Sequence, residues 1–112
     1  MGVTKTDLFT DAQNELAEIA KALGHPARIA IIQHLLKINA CINGDLVQEL
    51  GLAQPTISQH LRELKNIGII QGNIEGTKVS YCINPRRWNE IKVLFNVLLD
   101  QFKTVDGGKG CC

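Results

Sequence analysis

The side chains best suited to chemistry in this chain are four cysteines, Cys41, Cys82, Cys111 and Cys112, and a run of small polar and amide residues, Gln54, Thr56, Ser58 and Gln59. Thiols bind soft, thiophilic centres or oxidise. In a reducing compartment free thiols, a metal or metalloid site, or a redox switch outrank a structural disulfide framework. Cys111 and Cys112 end a glycine-rich stretch at residues 106–110, where burial has little to offer and thiol chemistry is accessible. Cys82 falls on the alternate face of a strand from Val79, Tyr81 and Ile83, apart from the other three. Amide and hydroxyl side chains on an exposed helix hydrogen-bond base edges and phosphates without bulk, while Arg62, Lys65 and Lys78 supply charge for neighbouring phosphates. His34 and His60 read as packed or capping side chains rather than ligands.

Periodicity supplies the elements that must position these groups. Leu8, Ala12, Leu16, Ile19, Ala20 and Leu23 recur at helical spacing over residues 7–23, with Gly24 as a stop. Pro26 reopens the chain, and Ile29, Ile32, Leu35 and Leu36 give a second helix to about Asn39 that reads as buried on most sides. After a connector at residues 41–44, Leu46 and Leu50 mark a helix of barely two turns over residues 45–50, ended by Gly51. Pro55 opens the fourth helix, which runs to Asn66. Ile57, Leu61 and Leu64 point inward, and Thr56, Gln59, Arg62 and Glu63 face out. The period then shifts to alternation through Ile70, Ile74, Val79, Tyr81 and Ile83, which predicts a β-hairpin turning at Glu75 and Gly76. A last helix follows Pro85 to about Thr104, anchored by Trp88. Val93 and Val97 spread its apolar surface beyond one core-facing stripe.

This order is mainly α with a small β-hairpin wing, a winged helix-turn-helix of pattern α-α-α-α-β-β-α. The short helix and the helix after it, joined through Gly51, form the unit that projects a recognition helix into a major groove. One domain, residues 1–105, accounts for folding, DNA binding and dimerisation; residues 106–112 form a flexible tail ending in cysteine. Hydrophobic residues are 45% and charged residues 21% of the 112, ordinary for a folded globular protein. The net charge of +1 lends a nucleic-acid reading almost nothing, so the argument for DNA rests on local patterning. No phosphate loop, nucleophile elbow or paired carboxylates point to an enzyme. The N-terminus lacks a secretory apolar stretch and no segment reads as a membrane span, so a cytoplasmic protein is expected.

Residues 22–28, Ala-Leu-Gly-His-Pro-Ala-Arg, and residues 44–61, Gly-Asp-Leu-Val-Gln-Glu-Leu-Gly-Leu-Ala-Gln-Pro-Thr-Ile-Ser-Gln-His-Leu, resemble the ArsR/SmtB family of metal-responsive repressors. The resemblance covers nearly the whole chain. It implies a winged-helix homodimer, joined through the first and last helices, that blocks transcription at a double-stranded DNA operator until an inducer binds. DNA binding itself requires no cofactor. Ala53 departs from the family's usual serine and removes a helix cap worth roughly 1 kcal/mol.

Family members that sense soft metals or metalloids often carry a Cys-X-Cys pair, which here is broken, because Asn43 stands two residues after Cys41. The zinc set that other members carry on the last helix is also missing, since residues 86–104 hold no histidine. Cys41, Cys111 and Cys112 together can offer three thiolates to trivalent arsenic or a related species, within one subunit or across the dimer. A thiol redox or persulfide sensor is the alternative chemistry. A winged-helix module that binds protein is the alternative function.

Overall fold

The structure is a computed structural model that describes residues 8–43, 51–74 and 79–103. Its elements are α1 (Asp11–Leu23), α2 (Pro26–Ile38), β1 (Ile42–Asn43), α3 (Gln54–Asn66), β2 (Ile70–Asn73), β3 (Ser80–Ile83) and α4 (Pro85–Leu99). The short helix expected over residues 45–50, the turn at Glu75 and Gly76, Lys78, and the tail at 106–112 lie outside the described residues.

Local chemistry sets the helix ends. Thr10 caps α1 by a reciprocal box: its Oγ1 accepts from the Gln13 backbone N–H at 3.0 Å, and Gln13 Oε1 accepts from the Thr10 N–H at 2.9 Å. The helix therefore starts at Asp11, four residues later than the apolar spacing suggested, and Leu8 and Phe9 stay outside it. His25 caps α2, its Nδ1 accepting from the Ala27 N–H at 3.1 Å, with Pro26 in the first turn. Asn84 caps α4 in the same way through the Arg87 N–H. α4 ends at Leu99, short of the expected Thr104.

Ile19, Ile31, Leu35, Ile57, Leu61, Leu64, Ile69, Ile70, Tyr81 and Ile91 form one core on which the four described helices and the sheet converge. The second helix is less enclosed than its composition suggested. Ile31, Ile32 and Leu35 are buried, but Ile29, Leu36 and Ile38 are exposed, because the core meets only one side of the cylinder. Arg87 ties the layers together. Its Nε donates to the Ile67 carbonyl at 2.9 Å, and its Nη1 reaches Glu15 on α1 at 3.0 Å and Glu90 at 3.2 Å.

The sheet has three strands in the order β1-β3-β2, all antiparallel. Strand β1, only two residues long, lies in what read as a plain connector. It pairs Ile42 with Tyr81 and Asn43 with Ser80. The expected hairpin is present, with Ile70 opposite Ile83 and Asn73 opposite Ser80. Among the described residues no helix is long and apolar enough to cross a membrane.

Candidate nucleic-acid interface

Helix α3 is two-faced. Ile57 and Leu64 are fully buried and Leu61 nearly so, which fixes the helix rigidly on the core. The opposite side presents Gln54, Thr56, Gln59 and Arg62 to solvent, with Ser58 half-buried beside them. These side chains hold one another in place: Gln54 Nε2 donates to Ser58 Oγ at 3.2 Å, Arg62 Nη2 to Gln59 Oε1 at 3.3 Å, and Gln59 Nε2 to Glu63 Oε1 at 3.4 Å. Such long, exposed bonds exchange readily for a base edge, to which a glutamine amide offers one donor and one acceptor.

No side chain caps the start of α3, since Ala53 has nothing to offer its N–H groups. The helix thus opens with backbone donors and the positive end of its dipole, a setting that favours a phosphate. Its last turn faces the wing across an open cleft lined by Arg62, Lys65, Asn66, Asn73 and Ile74. Asn73 was not singled out in the sequence; only its place at the end of β2 reveals it.

A buried polar contact fixes α3 against α2. His60 is 5% exposed, its Nδ1 accepts from Arg28 Nε at 3.0 Å, and the His25 ring lies 4.4 Å away, centroid to centroid. Arg28 also donates to the Ala22 carbonyl at 3.0 Å. His60 is thus the packed side chain expected, and sits beneath the exposed row of α3 rather than in it. Burial, followed by the nearby His25 and Arg28 charges, holds its pKa below the usual histidine value. As pH falls below about 6.5 the unfolded chain takes up this proton before the folded one, so stability is lost on acidification. Melting temperatures at pH 7.5 and 5.5 should therefore differ, and by less in His60→Gln, whose amide oxygen still accepts from Arg28. Equal drops in the two proteins would remove His60 as a cause.

Of the cysteines placed in a thiol site, Cys41 is exposed at the start of β1, whereas Cys111 and Cys112 lie outside the described residues. Among the described residues no three His, Cys, Asp or Glu side chains gather as a metal site. Cys82, read as lying apart, instead stands beside Cys41. The signal for that proximity is the β1–β3 register.

Residues 25–71, from the cap of α2 to the first half of β2, match the family model described as bacterial regulatory protein, arsR family. The chain is 40% identical over 82 residues to an HTH-type transcriptional regulator of Methanocaldococcus jannaschii, covering 73% of this chain and 92% of that one. It is 36% identical over 102 residues to the biofilm growth-associated repressor of Xylella fastidiosa, covering 90% and 88%. Among solved structures, the transcriptional repressor BigR from Xylella fastidiosa superposes with a TM-score of 0.56 at 25% identity, covering 91% of this chain and all of that one. The winged helix, the rigid two-faced α3 and these matches agree: the chain belongs to the arsR family of bacterial regulatory proteins.

Proposed function

We propose that this protein is a dimeric transcriptional repressor that reads a DNA operator through α3 and releases it when a thiophilic inducer, trivalent arsenic or a related species, binds Cys41 together with Cys111 and Cys112. The observation that carries the DNA half is the division of α3 into a fully buried face and an exposed row of Gln54, Thr56, Gln59 and Arg62. Ser58 steadies Gln54, and Lys78, between β2 and β3 in the sequence, adds a phosphate contact. The net charge of the chain is only +1, so affinity comes from placement of a few groups rather than from overall field. Acting on DNA, the protein works in the cytoplasm.

The apolar surface of α4 supports the dimer: Val93, Val97, Leu98 and Leu99 are about half exposed or more, as are Leu8 and Phe9 just before α1. Two recognition helices held by a twofold axis match a near-palindromic site with half-sites one helical turn, or a multiple, apart. For the switch, Cys41 sits where α2 gives way to β1, so a ligand drawn to it acts on the segment that leads into α3. An inducer that binds the DNA-free arrangement more tightly shifts the population toward it.

Selection of duplexes from a randomised library by the purified full chain tests the first half. Enrichment of a near-palindrome is expected, with affinity falling by about 0.9 log units per log unit of salt for each phosphate contact. Binding without enrichment, or insensitive to salt, refutes it. Arsenite added to the enriched complex, with all thiols reduced, should release the DNA in the parent and not in Cys41→Ser. Undiminished DNA affinity in the parent refutes the second half.

A further inference from the structure

The register of β1 on β3 pairs Ile42 with Tyr81 and Asn43 with Ser80, and one step further along it Cys41 comes opposite Cys82. Directly opposed residues of antiparallel strands have Cα atoms about 4.5–5.5 Å apart, close enough for both sulfurs to reach one atom. The two side chains lie at one wall of an open cleft of about 540 Å³ between the end of α2, the sheet and the start of α4. Leu35, Leu36, Ile83 and Trp88 give the cleft an apolar lining, with the Lys92 side chain beside them. We propose that Cys41 and Cys82 form a dithiol site for a monosubstituted trivalent arsenical, R–As(OH)2, with the organic group R in this cleft.

The chemistry balances without an oxidant. Two As–S bonds form and two As–O bonds break, each hydroxide leaves as water with one thiol proton, and arsenic remains trivalent. Two thiols match a centre with two exchangeable ligands, whereas inorganic arsenite has three. An apolar wall beside the sulfurs gives the substituent a place to bury surface, at about 25 cal/mol per Å². A hydrogen bond with Cys82 is the first cause raising the Cys41 pKa above the ordinary thiol value, followed by partial desolvation and the Cys82 charge. The Cys41 proton is therefore held on the thiol until it leaves with a hydroxide. The site shares Cys41 with the three-thiol reading above and rests on that reading only for its effect on DNA; capture itself is measured without DNA.

Phenylarsine oxide, hydrated to R–As(OH)2 with R a phenyl ring, is the probe. The reduced full-length chain with Cys111→Ser and Cys112→Ser is expected to take up one equivalent by intact mass and to lose two titratable thiols. Fluorescence of Trp88, the only tryptophan, should change as the cleft fills. Adding Cys82→Ser leaves a single thiol in reach and should weaken capture by on the order of 10²–10⁴-fold, the advantage of a second tethered ligand. Cys82→Ala should do the same, with an unchanged melting temperature in both variants showing that the fold is kept. Capture that disappears with the tail cysteines, or survives loss of Cys82 undiminished, overturns the pair. Capture at the pair with no release of DNA by any arsenical would instead overturn the inducer reading and leave this site standing.

Discussion

Gly72→Ala is expected to cost about 3 kcal/mol or more, lowering the melting temperature by roughly 10–20 °C for a domain of this size. Gly72 has φ of +120°, a conformation that side-chain-bearing residues rarely adopt. It also sits opposite Tyr81, where an added Cβ would be driven against the Ser80 carbonyl oxygen and to 2.9 Å from the Tyr81 Cα. Both obstacles are backbone, so no side-chain rotation relieves them. Tyr81 is fully buried, and displacing β3 to make room would pull it from the core and shift β1 as well. Thermal melts and salt-dependent DNA binding should therefore decline together. An unchanged melting temperature would show that β2 and β3 do not meet in this register.

The same glycine shows where reading the residues in order stops being informative. The alternation from Ile70 to Ile83 was enough to expect a hairpin, because a period of two is a local property. Gly72 within it carries no hint of the Ser80 carbonyl it must pass, since that contact exists only once the register is set. The apolar spacing of Ile57, Leu61 and Leu64 likewise located the inner face of α3 and, by subtraction, its outer row. The Arg28–His60 contact that seats this helix joins residues 32 apart in sequence, and nothing local announces it. β1 is two residues long, too short for any period, and stands as a strand only because β3 offers it an edge. The placement of Cys41 opposite Cys82 exists only through that pairing. A cysteine pair after a glycine-rich run is legible in the sequence, whereas Cys82 becomes the neighbour of Cys41 only through a strand too short to show in it.

Val97→Glu is expected to convert a dimer into monomers and to weaken operator binding by about 100-fold or more, because tethering two half-site contacts adds on the order of 10²–10⁴ to affinity. Val93 and Val97 are 53% and 58% exposed and lie one turn apart on α4, with Leu98, Leu99 and, beyond the helix end, Phe102 still more apolar surface nearby. Leu8 and Phe9, 68% and 53% exposed, stand just before α1, which packs against α4. Covering such side chains is worth about 1.5–3 kcal/mol each when burial is complete, and a twofold axis counts every one of them twice. A glutamate at position 97 places a charge from each subunit in that apolar surface, where an unpaired carboxylate is costly. Because Val97 contributes little to the subunit's own core, the monomer should keep its melting profile at low concentration. Sedimentation of the parent and the variant separates the cases: a monomeric parent, or a variant that remains dimeric, would mean that this surface serves something other than self-association.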